Sequence, residues 1–171
     1  MDADKIINRV AESGIITINL EAYLPEESDV VAFDLKSYLF MELILKEKEF
    51  RTSLKEIDLT PFQKKTVAVY CSADAIIPMW AYMLTSATLQ PAASRIIFGN
   101  TAQATSQILL ENIRSIQTDE YRDKRVVIKG CGEKFIPAEA YLEITNCLLP
   151  VVKSLLFGEP CSTVPVFKRP S

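Results

Sequence analysis

Histidine is absent from this chain of 171 residues. The commonest general base and the commonest metal ligand are therefore missing, and catalysis by a Ser-His-Asp or Cys-His arrangement within the chain is excluded. Any metal site must be built from cysteine, aspartate, glutamate, backbone or water. The four cysteines are Cys71, Cys131, Cys147 and Cys161. They show no C-x-x-C spacing, so neither a zinc ribbon nor a thioredoxin motif is present.

Other common signals are also missing. No segment is strongly basic and the formal net charge is −3, so binding to nucleic acid is not expected. No apolar run approaches the roughly 20 residues of a membrane helix. The start, "MDADKIINRVAESG", carries acids where a signal peptide needs basic and then apolar residues. These absences predict a cytoplasmic protein without membrane contact, in which structural disulfides are not expected.

Short apolar strands alternate with amphipathic helices along the chain, and no linker or low-complexity stretch divides it. Strands that are apolar throughout are typical of a parallel sheet covered on both faces. The predicted strands are Ile15–Leu20, Val30–Leu35, Thr66–Cys71, Arg95–Gly99 and Arg125–Gly130. The predicted helices are a short one around Ile6–Val10 and longer ones over Ser37–Ile57, Pro78–Leu89, Thr101–Ile116 and Pro137–Phe157.

This alternation predicts an α/β fold. Residues 1–171 are expected to form a single domain of three layers with a mostly parallel sheet. The strands at 66–71, 95–99 and 125–130 are expected to be parallel members of one sheet, because each is followed by a helix or a helical return.

Two stretches resemble each other. "VAVYCSADAIIPMWAY" and "VVIKGCGEKFIPAEAY" both contain an apolar strand, a cysteine, a short polar loop and "IPxxAY" at the start of a helix. Cys71 and Cys131 thus follow the carboxyl ends of their strands, the edge at which ligands bind in open parallel sheets. If the two strands are neighbours, both thiols face one crevice. Ser72, Lys129 and Glu133 are candidates there for binding an anion or a small molecule.

The alternatives for these residues are ordinary structural roles. Cysteine is among the most buried residue types, so Cys71 and Cys131 are each as readily core residues as site residues. Asp74 is either a site residue or the N-cap of the following helix. Cys147 falls on an apolar helical stripe with Ala140 and Val151 and is expected to be core.

The stretch "GEPCSTVP" places Cys161 between two prolines near the end of the chain. Proline fixes φ, so the loop is stiff and presents the thiol at low entropic cost. The alternative is a plain turn that leads "VPVF" into an edge strand. A continuous helix over Pro137–Phe157 would carry Cys161 away from the crevice. Either a break at Pro150 or a loop from a second subunit, and hence a homodimer, would remove that difficulty.

The strings "NRVAESGI", "LILKEKEFR", "CSADAIIPMWAYML", "IKGCGEKFIPAEAY" and "GEPCSTVPVFK" resemble the domain of unknown function 2480 family of bacterial proteins over nearly the whole chain. The resemblance implies a small single-domain bacterial protein whose pattern includes the segments of Cys71, Cys131 and Cys161. No activity and no catalytic residue follows from it.

Three hypotheses of function remain open. The first is a zinc site with thiolate ligands Cys71, Cys131 and Cys161 and a fourth ligand from Asp74, Glu159 or water. An open position on that ion would permit hydrolysis with Asp74 or Glu133 as base. The second is a metal-free thiol protein that carries sulfur or senses oxidants. The third is a non-catalytic interaction module with structural cysteines. Whether the protein is an enzyme stays open.

Overall fold

The computed structural model describes residues 14–130, 132–159 and 162–170. The chain divides into two compact units. Pro25–Gln107 form the continuous unit, and the split unit consists of the chain up to Leu24 together with the chain from Ile108 onward.

Strands and helices alternate through most of the described chain. The strands are β1 (Ile15–Ile18), β2 (Val30–Asp34), β3 (Leu39–Phe40), β4 (Ile44–Leu45), β5 (Thr66–Tyr70), β6 (Arg95–Phe98), β7 (Arg125–Ile128), β8 (Ser154–Glu159) and β9 (Ser162–Lys168). The α-helices in this part of the chain are α1 (Glu47–Lys55), α2 (Met79–Leu89), α3 (Thr101–Arg114) and α4 (Ala138–Leu148). Short 3₁₀ turns follow β1 at Leu20–Tyr23 and β2 at Leu35–Tyr38.

The continuous unit contains a three-stranded parallel sheet in the order β2-β5-β6. Val67, Ala68 and Val69 of the central strand β5 are all buried, as expected for a strand covered on both faces. Phe50 from α1 and Leu89 from α2 complete the core of this unit. The hairpin of β3 and β4 precedes α1.

The split unit contains a four-stranded sheet in the order β1-β7-β8-β9. The first three strands are parallel, and β9 pairs antiparallel with β8 at the edge. Val126, Val127 and Ile128 of β7 are buried. Leu109 from α3 and Ile144 from α4 belong to the core of this unit.

The two units repeat one local fold. Residues 60–99 correspond to residues 119–158 at a constant separation of 59 positions. The strand-helix-strand segment β5-α2-β6 thus corresponds to β7-α4-β8. A residue with a left-handed backbone conformation precedes β5 and β7 at equivalent positions: φ is 58° at Lys64 and 57° at Asp123.

Backbone hydrogen bonds follow the same correspondence. Lys64 N–H donates to the Ala92 carbonyl at 2.9 Å, and Asp123 N–H donates to the Val151 carbonyl at 2.8 Å. The first described strands of the two units, β1 and β2, also correspond to each other, at a separation of 15 positions. β1 pairs with β7 in the same register as β2 pairs with β5. The similarity seen in the sequence is therefore a fragment of a longer structural repeat.

The α/β class and the mostly parallel pairing are confirmed. All the predicted strands are present within one or two residues of their bounds. The helices predicted at Pro78–Leu89 and Thr101–Ile116 are confirmed as α2 and α3. The helix predicted around Ile6–Val10 lies outside the described residues. That the whole chain forms a single three-layer domain stays a prediction.

The long helix predicted over Ser37–Ile57 is wrong in its first half. Only α1 is α-helical there, and the residues before it form a 3₁₀ turn and the β3–β4 hairpin. The hairpin turn contains Met41 and Glu42 with φ of 52° and 59°, values that end any helix.

The helix predicted over Pro137–Phe157 is also too long. α4 ends at Leu148, the chain turns through Pro150, and residues from Ser154 form β8. Proline removes a backbone donor and its ring blocks a continuing helix, so the break falls where the sequence allowed one.

The prediction that three strands share one sheet is wrong for the third. β5 and β6 are parallel neighbours in the continuous unit, whereas β7 belongs to the sheet of the split unit. The shared crevice for Cys71 and Cys131 was derived from that neighbourhood, so this argument for it is lost.

None of the helices in the described chain has the length and apolar character that crossing a membrane requires.

Candidate functional site

Three strands of the split unit end at one edge of its sheet. Ile18 of β1 lies opposite Ile128 of β7, which lies opposite Phe157 of β8, and all three strands run in the same direction. Asn19 and Lys129 follow directly at this carboxyl edge. In open parallel sheets this is the edge where ligands bind.

A cavity of about 320 Å³ lies at this edge. Its lining combines charged, apolar and glycine residues. They are Asn19, Leu20, Glu21, Lys129, Gly130, Gly132, Lys134, Phe135, Ile136 and Tyr141. A space of this size accommodates a small organic molecule.

The carboxylate of Glu21 is held in place by its neighbours. Lys134 N–H donates to Glu21 Oε1 at 2.6 Å, and Asn19 Nδ2 donates to Glu21 Oε2 at 3.2 Å. Asn19 Oδ1 in turn accepts the Glu21 N–H at 3.1 Å and caps the 3₁₀ turn. The Lys134 hydrogen bond and then the Asn19 hydrogen bond lower the pKa of Glu21, and the charge of Lys129 adds to the effect. The carboxylate is therefore ionised at neutral pH.

Gly132 lets the loop approach that carboxylate. A Cβ built at this position would lie 2.1 Å from Glu21 Oε1, well inside the van der Waals contact distance of non-bonded atoms. Any other residue would push Glu21 away from the Lys134 amide, so the glycine belongs to the construction of the cavity.

The sequence-predicted residues of this unit are placed as follows. Lys129 is half-buried and lines the cavity, whereas Glu133 is exposed and does not line it. Glu159 is the last residue of β8, and its Oε1 atom is buried without a hydrogen-bond partner among the described residues. Cys131 and Cys161 lie outside the described residues.

The course of β8 removes the objection to Cys161. Because α4 ends early and β8 runs parallel to β7, the chain returns to the carboxyl edge at Glu159. Glu159 pairs with Ser162 of β9, so the segment "VPVF" is an edge strand as the structural alternative proposed. The strands that precede Cys131 and Cys161 thus end at the same edge. That the thiols meet stays a prediction.

In the continuous unit, Asp34 and Ser72 form the corresponding polar group. Ser72 N–H donates to Asp34 Oδ1 at 3.0 Å, and Ser72 Oγ donates to Asp34 Oδ2 at 2.5 Å. Burial acts to raise the pKa of Asp34, but the Ser72 hydroxyl and the Lys36 N–H more than offset it, so the pKa is lowered. Ser72 is thus engaged in fixing β2 to the loop after β5.

Cys71 and Asp74 lie in the same loop. The Cys71 thiol is half-buried and donates to the Ala73 carbonyl at a sulfur–oxygen distance of 3.6 Å. Asp74 is exposed, and it is not the N-cap of α2, because that position is occupied by Pro78. The N-cap alternative for Asp74 is therefore wrong.

The repeat separates the two cysteines that the sequence pattern had matched. At the separation of 59 positions Cys71 corresponds to Gly130, and Cys131 corresponds to Ser72. The cysteine-to-proline distance differs by one residue in the two copies for this reason. The two thiols therefore do not hold equivalent positions.

Replacing Ser72 by alanine is expected to raise the pKa of Asp34. A lowered pKa stabilises the folded protein at pH values above the ordinary aspartate pKa of about 3.9, and this stability is lost as the pH falls through the pKa of the folded state. The wild type should therefore lose more stability below pH ~4 than Ser72→Ala. NMR titration of the Asp34 carboxyl carbon measures the shift. The Asp58 signal is the internal control and should not move; an unchanged Asp34 would contradict the prediction.

Cys147 is half-buried and packs against the core of the split unit. Burial, and then the charge of Glu143, raises the pKa of its thiol. Both observations agree with a core role.

Cys147→Ala should lower the free energy of unfolding by about 1 kcal/mol, the loss of a small packed side chain. Native Cys147 should be alkylated more slowly than in urea, because its thiol is half-buried and its pKa is raised. Urea titration and mass spectrometry after iodoacetamide treatment provide the measurements. Equal alkylation rates in native and unfolded protein would show that Cys147 is a reactive group.

Asn19, Glu21, Gly132 and Lys134 were missed by the sequence analysis. One signal was available, because "NLEAY" after β1 and "DLKSY" after β2 repeat a polar cap, a leucine and a tyrosine. Extending the internal similarity to these strings would have drawn attention to Asn19 and Asp34.

In residues 14–130, 132–159 and 162–170, no three Cys, Asp or Glu side chains are grouped so as to hold a metal ion. The zinc set predicted from the sequence includes two cysteines outside this range, so it stays a prediction.

Neither the curated proteins nor the solved structures contain a match to this chain. A family model described as "Protein of unknown function (DUF2480)" matches residues 4–169. Since that match covers nearly the whole sequence, the chain belongs to the DUF2480 family.

Proposed function

We propose that the chain is a binding module for a small organic anion that also carries a hydrogen-bond donor, such as an α-amino or α-hydroxy acid. The observation that carries the proposal is the cavity that joins the ionised Glu21 to Lys129 at the carboxyl edge of the split unit.

The positive and negative side chains of the cavity suit the two ends of such a ligand. The ammonium groups of Lys129 and Lys134 attract a carboxylate, and the Glu21 carboxylate accepts from an ammonium or a hydroxyl group. Phe135 and Ile136 supply an apolar wall for a short side chain. Because Glu21 is fixed by Asn19 and the Lys134 amide, little ordering is needed on binding.

Titration of 15N-labelled protein with L-alanine, L-lactate and acetate tests this proposal. L-Alanine and L-lactate should shift the amide signals of the cavity residues, and acetate should bind more weakly because it has no donor. Lys129→Ala and Glu21→Gln should each weaken binding about tenfold or more, the size of one charged hydrogen bond. Lys124→Ala, an exposed lysine of the same unit that does not line the cavity, is the matched control. The proposal fails if neither acid shifts these signals at about 10 mM, or if both variants bind like the wild type.

A second candidate is the zinc site, now centred on the split unit. The buried Oε1 of Glu159 has no hydrogen-bond partner among the described residues, and a buried carboxylate oxygen is costly unless a donor, a proton or a metal ion satisfies it. Thiolates from Cys131 and Cys161, with Cys71 as the further ligand that the sequence suggested, would suit zinc.

Elemental analysis of protein purified without chelator tests this candidate. Bound zinc should fall in Cys161→Ser and in Glu159→Gln and stay unchanged in Cys147→Ala. Cys71→Ser decides whether the continuous unit contributes a ligand. Zinc-free protein would reject the candidate and leave the metal-free thiol and the interaction-module hypotheses, which titration of the thiol pKa values separates.

A further inference from the structure

Each unit has an apolar groove beside the second strand of the repeat. In the continuous unit the rings of Tyr82 and Phe98 meet edge to face with centroids 5.3 Å apart at 77°. In the split unit the equivalent Tyr141 and Phe157 meet at 5.7 Å and 78°. The grooves beside these rings measure about 550 and 470 Å³.

The groove of the split unit is partly filled by the chain itself. β9 runs antiparallel along the edge of β8, and Val166 lines the groove. Opposite Leu155 and Phe157 of β8, β9 places Phe167 and Val164. In this copy of the repeat, one extended strand thus pairs with the edge and lines part of the groove.

The equivalent strand β6 of the continuous unit is an edge strand, since none of the described strands pairs with its far side. Gly99 N–H donates to the Val69 carbonyl of β5 at 2.9 Å. Because the backbone groups of successive residues in a strand point to opposite sides, those of Ile96 and Phe98 point away from β5. Unpaired edges of this kind are sites of strand addition.

The surface around this edge is mostly apolar, although β6 itself begins with Arg95. No charged residue occurs between residues 75 and 94, which include all of α2. Met83 is 71 % exposed and Phe98 is 74 % exposed, and both line the groove. The equivalent helix α4 carries Glu139 and Glu143 instead. Absence of charge at a large exposed apolar patch is typical of an interface.

We propose that a second copy of this chain pairs with the protein through β6, forming an antiparallel β6–β6 ladder about a two-fold axis. In this register Ile97 faces Ile97 of the partner subunit. Ile96 exchanges both backbone hydrogen bonds with the partner's Phe98, and Phe98 exchanges them with the partner's Ile96. All the outward backbone groups of the two central pairs are satisfied.

The side chains of β6 reproduce those of β9. In the split unit the residues opposite Leu155 and Phe157 are phenylalanine and valine. In the dimer the residues opposite the equivalent Ile96 and Phe98 are the partner's Phe98 and the partner's Ile96, in the same chain direction. An aromatic residue and a β-branched residue thus occupy the positions that β9 fills in the other copy of the repeat, and such cross-strand pairs are favourable.

The two-fold pairing also closes the assembly. An isologous interface uses the same edge on both subunits, so no further copy can add to it. Because α2 carries no charge, it adds no repulsion between like charges when two identical surfaces approach, and the stated register puts the two Arg95 residues at opposite ends of the ladder. The inference concerns the continuous unit and does not depend on the proposed ligand cavity.

Sedimentation equilibrium of the full chain tests the dimer. Wild type should dimerise, and Phe98→Lys and Met83→Lys should each weaken dimerisation at least about tenfold, because they place a charge at the interface. Leu142→Lys is the matched control, since Leu142 is the equivalent of Met83 in the split unit and is 67 % exposed. It should dimerise like the wild type. Circular dichroism confirms that each variant is folded.

Amide hydrogen exchange tests the strand pairing itself. The amides of Ile96 and Phe98 should exchange about tenfold more slowly in the dimer than in diluted protein or in Phe98→Lys. A monomeric wild type at about 1 mM, assemblies that grow beyond the dimer, or a dimer insensitive to both lysine variants would overturn the proposal. So would protection of these amides that does not depend on concentration, because a segment of the same chain would then cover the edge.

Discussion

Replacing Phe50 by alanine is expected to lower the free energy of unfolding by about 3–5 kcal/mol, the range for a fully buried aromatic residue. Phe50 is 1 % exposed and belongs to the core of the continuous unit. Its ring meets Tyr38 edge to face at 5.3 Å and lies 6.1 Å from Trp80. Truncation removes these contacts and leaves a cavity where the helix α1 meets the sheet. Urea denaturation measures the loss.

Phe40→Ala is the matched control for that prediction. Phe40 lies in the same stretch but is 47 % exposed, and the Lys46 ammonium lies 3.7 Å from its ring centroid. The expected loss is about 0.5–1 kcal/mol, the value of an exposed cation–π contact. Similar losses in both variants would mean that Phe50 does not anchor this core.

Gly158→Ala is expected to lower the free energy of unfolding by roughly 3–5 kcal/mol, combining backbone strain with a steric clash. Gly158 has φ of 123°, which side chains of L-residues disfavour. A Cβ there would lie 2.5 Å from the backbone carbonyl oxygen of Ser162 on β9. The Ser162 carbonyl belongs to a strand paired with β8, so it cannot move away without breaking hydrogen bonds. The β8–β9 pairing should therefore open.

Gly99→Ala tests the origin of that effect. Gly99 is the equivalent glycine of the other unit, with φ of 127°. Its Cβ would meet Gln103 Oε1 at 2.9 Å and Gln103 Cβ at 3.0 Å, so Gln103 would shift slightly and loosen its hydrogen bond from the Asn100 N–H, but no strand backbone blocks the new atom. The expected loss is therefore only about 1–3 kcal/mol, the strain of the backbone. Equal losses at both glycines would contradict the role given to the Ser162 carbonyl. Thermal unfolding and hydrogen exchange of the β9 amides distinguish the two results.

The buried strands were predictable because each is a short apolar run. β5 and β7 are covered on both faces, so residues 67–69 and 126–128 form uninterrupted apolar runs that do not suggest a helical period. The helix α2 was predictable because Pro78 marks its start and no glycine or proline interrupts residues 79–90.

The β3–β4 hairpin could not be predicted for a local reason. Phe40 and Leu43 are spaced like one side of a helix, and the turn between the strands contains no glycine. Its positive φ angles are held by Met41 and Glu42, residues that do not signal such a conformation. The pairing of Phe40 with Ile44 overrides the helical pattern.

The strand β8 was predictable in principle. "LQPAASRIIFG" and "LLPVVKSLLFG" share leucine, proline, phenylalanine and glycine at the separation of 59 positions. Since the first string was correctly assigned a strand from Arg95, the second should have been assigned one from Ser154. The apolar period of the preceding helix, which continues past Pro150, concealed it.

The cavity site was only partly predictable. Lys129 was assigned to the carboxyl edge because it follows an evident strand. Glu21 was not, because it reaches the Lys134 amide only when β1 pairs with β7. Glu21 and Lys134 are 113 positions apart in the sequence, and no local sequence pattern indicates a contact over that separation.

The sequence of the continuous unit is inserted between the two segments of the split unit, and this order has a consequence for folding during translation. The strands of the continuous unit leave the ribosome within one uninterrupted stretch, and they can pair as soon as β6 has emerged. β1 must wait for β7, since Ile15 pairs with Arg125. At translation rates of 5–20 residues per second, that delay is on the order of 10 s. Cotranslational folding should therefore begin in the later-starting segment, while β1 stays an unpaired, chaperone-accessible element of the nascent chain.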